Sequence, residues 1–356
     1  MKPMHIKTQV YRLNPQNIAP ATIRMAGKTI REGGLVAFPT ETVYGLGANA
    51  LDAEAVARIF AAKDRPASDP IIVHIAALEM LAEITPNPPP LLDELSTAFW
   101  PGPLTVILPR GPRIPSLVSA GRETVGVRIP SHPIARALLD AAEVPIAAPS
   151  ANRFARPSAT QAHHVMQDLN GRIDMLLDGG STTIGLESTV LDLTADPARI
   201  LRPGGVTLEA LRAIIPDVVY QARYLALEDD APQSPGQLLK HYAPDAELRL
   251  YQGTPKAARA AMRQSAKAAF AAGRRVGIIV YEEDRAHFAD LAMAQVQLGA
   301  DDVQIGARLF AALRDLEAQG VDMILARDPA PQGLGLAIWD RLVRAAEGQI
   351  INVDEA

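Results

Sequence analysis

The stretch LVAFPTETVYGLG, residues 35–47, sets how the rest of the chain is read. Four apolar residues run into a proline and a turn carrying the hydroxyls of Thr40 and Thr42, with glycines at 45 and 47. A short apolar run bounded by turn residues reads as a buried strand. Residues 52–62 then place Val56, Ile59 and Phe60 on one face of a helix. That helix delivers Lys63 and Arg65, in KDRP at 63–66, back toward the turn. Strand, loop and helix in this order open an α/β layer fold.

The alternation continues outward to residue 215. Strands are expected at 35–39, 70–75, 104–108, 124–129, 144–148, 175–177, 188–193 and 199–201, and a second helix at 132–142 lines up Ile134, Leu138 and Leu139. The implied architecture is a sizeable mixed sheet with flanking helices. Residues 216–246 interrupt the pattern: they are Pro-rich, charged and without a period, and read as a connector, either a linker or a lid. Alternation then restarts, with strands at 247–251, 275–281, 296–298 and 322–326 and helices at 255–272, 302–319 and 338–346. This second part is a smaller Rossmann-like or flavodoxin-like α/β domain. The expected organisation is a domain at 1–215, a connector at 216–246 and a C-terminal domain at 247–356.

The bulk numbers agree with two domains, since 356 residues exceed the roughly 150 of an average one. Zero cysteines exclude disulfides, thiolate metal sites, iron–sulfur clusters and a Cys nucleophile, so any metal must be held by oxygen or histidine. No apolar stretch approaches the ~20 residues of a membrane span, and the first residues lack a secretory core, so a cytoplasmic location is expected. Residues 1–215 carry 20 Lys/Arg against 20 Asp/Glu, and 216–356 carry 15 against 20. A neutral first part and an acidic second part argue against a protein that coats nucleic acid.

The candidate chemistry comes from several short motifs, each with a plain structural alternative. The turn at 39–47 is either a strand end, with glycines supplying positive φ, or a ligand site just past a strand, where open α/β sheets bind. It has the spacing of neither a Walker A loop nor G-x-G-x-x-G. Lys63 and Arg65 are either solvated cations at a helix C-terminus or a pair aimed at a polyanion such as a triphosphate. In PIAAPSAN, residues 145–152, Ser150 and Asn152 project to one side if the chain stays extended, or simply form an Asx/Ser turn. Arg128 in VGVRIP and Arg202 in ILRPGG sit in apolar strands, where an uncompensated charge is costly. With Lys63 and Arg65 they point to an anion larger than a side-chain carboxylate.

Taken together, FPTETVYGLG, KDRP with PIIVHI, WPGPLT, VGVRIPSH, PSAN with PSAT, ESTV, RPGG, SPGQLLKHYAP and GLGLAIWDRLVRAA resemble, in order and over nearly the whole chain, the threonylcarbamoyl-AMP synthase family. The resemblance is to its two-domain form, a YrdC-like twisted mixed sheet with flanking helices followed by a Rossmann-like extension. It implies a nucleotidyltransferase that makes L-threonylcarbamoyladenylate and pyrophosphate from L-threonine, bicarbonate or CO2, and ATP. The product serves threonylcarbamoyladenosine formation beside the anticodon of tRNA, through a downstream transferase. It further implies Thr40, His74, Arg128 and Ser188 as threonine contacts, with Arg128 on the carboxylate. Lys63, Arg65, Ser150 and Asn152 match a K-x-R…S-x-N tetrad around phosphates and carbamate. Thr124, Ser158 and Arg202 fall on the ATP side, and Tyr242 of HYAP would close over the nucleotide from the connector. Magnesium is implied, held mainly by phosphate oxygens, with no dedicated metal ligands and no stable tRNA complex.

The chain departs from the family at Asp69-Pro70-Ile71, where Asn-Pro-Leu is usual, and at Leu239, where many relatives carry an aromatic residue. Two other classes compete. A double-stranded-RNA-binding or ribosome-maturation module fits poorly with the charge balance. A carbamoyl transferase of the hydrogenase-maturation type needs cysteine-rich zinc motifs that zero cysteines exclude.

Overall fold

The computed structural model describes residues 7–225, 232–236, 239 and 241–353. Their backbone divides into two units: 7–154, 158–225 and 232–236 in the first, and 155–157, 239 and 241–353 in the second. Both are α/β layers, as expected.

The first unit is built on one mixed sheet. Its strands are β1 (Gln9–Arg12), β2 (Val36–Pro39), β3 (Tyr44–Asn49), β4 (Val73–His74), β5 (Leu104–Pro109), β6 (Thr124–Arg128), β7 (Ile146–Ala147), β8 (Met175–Asp178), β9 (Thr189–Asp192), β10 (Arg199–Arg202) and β11 (Val219–Tyr220). They lie in the order β1-β8-β2-β3-β7-β4-β6-β5-β9-β10-β11. One apolar layer packs Val56 and Ile59 of helix Ala53–Lys63 with Leu46, Val73 and Val127. A second packs helices Pro20–Arg31 and Pro133–Ala142 with Val36, Phe38 and Leu177. Those two helices come close at Gly27, where a Cβ would stand 2.5 Å from the carbonyl oxygen of Ala141.

The opening stretch differs from its reading in one respect. YGLGAN is itself a strand: β2 and β3 form an antiparallel hairpin with Val36 opposite Gly47 and Pro39 opposite Tyr44. Gly47 is there for space rather than for positive φ. A Cβ at this position would lie 2.8 Å from Ile146 Cγ2 and 2.9 Å from Phe38 Cε1. The runs at 70–75 and 144–148 pair only as the two-residue strands β4 and β7.

The connector span is not uniformly irregular. Val219–Tyr220 is a strand running parallel to β10, and residues 232–236 belong with the first unit. Pro232 O accepts from Arg122 Nε at 3.0 Å and Pro235 O from Arg202 Nη1 at 3.1 Å. The remainder of SPGQLLKHYAP lies partly outside the described residues.

The second unit holds a parallel sheet of β12 (Glu247–Gln252), β13 (Val276–Tyr281), β14 (Ala294–Gly299), β15 (Met323–Arg327) and β16 (Ile350–Asn352), ordered β14-β13-β15-β12-β16. Helices Pro255–Ala271, Asp302–Ala318 and Gly335–Ala345 agree with the amphipathic patterns. Strand β16 was not foreseen.

Candidate active site

The hairpin turn is closed by its own hydroxyls. Thr40 Oγ1 donates to Val43 O at 2.6 Å, accepts from the Thr42 and Val43 amides at 3.2 Å, and meets Thr42 Oγ1 at 2.8 Å. Thr40 and Thr42 are both buried. The turn thereby presents Thr42 to Arg128, whose Nη1 donates to Thr42 Oγ1 at 2.9 Å and whose Nε donates to Gly102 O at 3.1 Å. The third arm of that guanidinium meets Glu41: Nη2 stands 2.6 Å from Oε1, with both side chains under a tenth exposed. Glu41 Oε2 accepts from the Ser131 amide at 3.1 Å. Burial pushes the Glu41 carboxyl up, and Arg128 with the hydrogen bonds carries it below the ordinary range.

His74 aligns with Arg128 across the parallel β4–β6 pair and meets the edge of Phe38. Burial first, and then the Arg128 charge, push it down to about 3, so it stands as a neutral imidazole.

Helix Ala53–Lys63 aims the next two cations. Asp52 caps its start by accepting from Glu54 and Ala55, and Asp64 ends it in the left-handed region at φ 54°. The reading of these two as solvated cations does not hold. Lys63 is 1% exposed and donates to the carbonyls of Ser150 and Asn152. Arg65 turns to Asp69, 2.9 Å away with both side chains buried, and also donates to Pro70 O at 2.7 Å. Lys63 thus braces the S-x-N segment through two of its carbonyls, and Asp69 braces Arg65 of the K-x-R segment. Asn152 is buried, and its amide donates to Arg153 O at 2.7 Å; Ser150 is half-buried and bridges to Gly45.

A further cluster follows β5, β9 and β10. Ser188 Oγ meets Thr105 Oγ1 at 2.7 Å, and Arg202 Nη2 donates to Ser188 O at 2.9 Å. Ser158 donates to Glu187 Oε1 at 2.5 Å, both side chains being buried. Asp69 links this cluster to the previous one, because Arg65, Lys63 and Arg202 all act on its charge.

Two candidates remain. Thr124 starts β6, four residues from Arg128, hence about 13 Å along the strand. Tyr242 belongs to the second unit, where its buried ring packs 5.2 Å from Phe310 with Arg341 over its face at 5.4 Å.

The sequence reading missed Glu41 and Glu187 and marked Asp69 only as a departure from the family; all three are buried carboxylates that each hold a candidate residue. It also took Arg128 to await an anion larger than a carboxylate side chain, and that is corrected: Glu41 already balances it, as Asp69 balances Arg65. The cost of burying an unpaired charge, which flagged the arginines, should have prompted a search for these partners. Among the described residues no group of three or more His, Cys, Asp or Glu is placed to hold a metal ion, and none of the helices is long and apolar enough to cross a membrane.

A family model described as telomere recombination matches residues 28–204, and one described as threonylcarbamoyl-AMP synthase, C-terminal domain, matches 206–347. The threonylcarbamoyl-AMP synthase of Pyrococcus abyssi is 44% identical over 334 residues, 93% of this chain and 96% of that one. The protein of the same name from Bacillus subtilis is 42% identical over 330 residues, covering 92% and 94%. The crystal structure of P. abyssi Sua5 complexed with L-threonine superposes with a TM-score of 0.91 at 43% identity, over 97% of this chain and 100% of that one. The motifs, the two-unit architecture and these likenesses agree, and the chain belongs to the threonylcarbamoyl-AMP synthase family in its two-domain form.

Proposed function

We propose that this enzyme is an L-threonylcarbamoyladenylate synthase that works in the cytoplasm on L-threonine, bicarbonate or CO2, and ATP. The threonine amine adds to CO2 and loses a proton, giving a carbamate. A carbamate oxygen then attacks the α-phosphorus of ATP, the bond to the β-phosphate oxygen breaks, and pyrophosphate leaves. The adenylate passes to a downstream transferase for tRNA modification; the chain itself does not hold tRNA stably.

This chemistry asks the protein mainly to position reactants and neutralise charge. Arg128 takes the threonine carboxylate beside Thr40, His74 and Ser188, its position braced by Glu41 and Thr42. A neutral His74 there adds no second cation. Lys63, Arg65, Ser150 and Asn152 face the phosphates and the carbamate, with Ser158, Thr124 and Arg202 on the nucleotide side. Magnesium, if bound, would be held mainly by the phosphate oxygens of ATP and by water and would supply positive charge against that of the departing pyrophosphate. Residues 216–246, with Tyr242, serve as a lid that keeps water from the carbamoyl-adenylate; the Arg202–Pro235 hydrogen bond is the support for that role.

The observation that carries the reading is the likeness over both units to relatives of that name, with buried cations and hydroxyls gathered where the motifs fall. The test is pyrophosphate release with and without threonine, with the adenylate identified by mass. Lys63→Ala and Arg65→Ala should each abolish adduct formation. Pyrophosphate release that ignores threonine would overturn the reading.

A further inference from the structure

Asp69 is paired with Arg65 and feels the charges of two further cations. Its side chain is fully buried, Oδ2 is 2.9 Å from Arg65 Nη2, and the charges of Lys63 and Arg202 also reach it. Neither carboxylate oxygen accepts a hydrogen bond among the described residues, so the contact with Arg65 is one of charge. Burial raises the carboxyl above the ordinary range, and the charges of Arg65, Lys63 and Arg202 work against that rise and favour its ionised form. An asparagine would keep the shape of the side chain beside Arg65 and remove its charge, so charge and shape can be separated by substitution.

We propose that Asp69 is a positioning residue and a built-in counter-ion: it orients Arg65 and sets the affinity for pyrophosphate and for the triphosphate of ATP by competing with them for the three cations. This rests on the placement of the phosphates at Lys63 and Arg65 argued above. With the site empty, Asp69 balances cations whose mutual repulsion would otherwise be uncompensated. When a polyanion enters, the same fixed charge opposes it at short range in a low-dielectric setting. The consequence is weaker ground-state binding of ATP and faster departure of pyrophosphate.

The probe is inorganic pyrophosphate, titrated calorimetrically into the full-length protein and its D69N, D69A and K63A variants. D69N, which keeps the shape and loses the charge, should bind about tenfold more tightly or better. D69A, which loses both, should not gain, because Arg65 is no longer oriented. In turnover, D69N should lower the KM for ATP and also lower kcat as pyrophosphate lingers, a split that a purely structural defect does not produce. Ligand-free D69N should melt below the parent and be raised more by pyrophosphate, a readout that survives partial loss of folding. D69N binding no more tightly than the parent, with K63A weakened, overturns the proposal alone. K63A binding as the parent does overturns the phosphate placement, and the proposal with it.

Discussion

Glu41→Ala tests the frame of the site most directly. The substitution removes one partner of a pair 2.6 Å apart and leaves the Arg128 guanidinium in a setting where its side chain is 5% exposed. Breaking a buried pair from one side costs about 3–5 kcal/mol, because the surviving charge is stranded. Total stabilities of about 5–15 kcal/mol make that a large fraction. The chain has two tryptophans, Trp100 in the first unit and Trp339 in the second. In a Trp339→Phe background the buried Trp100, bonded through Nε1 to Leu104 O at 2.7 Å, reports the first unit alone. Urea unfolding followed by its fluorescence gives the loss, and adding Arg128→Met should return part of it, since no charge is then left stranded. The Glu41 carboxyl is held below its ordinary 4.5, so its contribution is complete above that pH and is lost as the pH falls through the lowered value. The gap between the parent and Glu41→Gln should therefore close in acid. A loss under about 1 kcal/mol, or a double variant no better than Glu41→Ala, would refute the argument.

Thr40→Val should raise the KM for threonine about tenfold, roughly 1.4 kcal/mol, while costing about 1–3 kcal/mol of stability through the four turn hydrogen bonds it deletes; equal changes in the KM values for threonine and ATP would count against the placement of Thr40. Gly47→Ala should destabilise by about 1–3 kcal/mol through overpacking against Ile146 and Phe38, read as a lower urea midpoint, and an unchanged midpoint would show that the hairpin can yield.

Much of this molecule could be read from its sequence, and the exceptions have physical causes. Long amphipathic helices such as Pro255–Ala271 and Asp302–Ala318 announce themselves by period, and buried parallel strands such as β13 by an unbroken apolar run. Strand β3 was hidden because its glycines mimic a turn, when their purpose is to let Phe38 and Ile146 approach. The two-residue strands β4 and β7 sit inside longer apolar runs that pair only at their middles. In the site, the cations and hydroxyls stood out by type and motif. Their carboxylate partners did not: Glu41 and Arg128 are 87 residues apart along the chain, Ser158 and Glu187 are 29 apart, and only the fold makes them neighbours. Asp69 lies near Arg65 in sequence and was noticed as a departure, yet its depth of burial has no signature in the residue letters.

The hydrogen bond from Arg202 to the carbonyl of Pro235 gives residues 232–236 a use beyond their own structure. One guanidinium holds this segment and also the carbonyl of Ser188 at the site. Whatever a ligand draws from Arg202 is drawn from that segment as well, and thermodynamic linkage makes the influence mutual. Cleavage by a protease at 232–236 would then register occupancy of a site that the protease never touches. By the same token, an affinity tag or a domain cut placed there would disturb catalysis while leaving every site residue in the sequence.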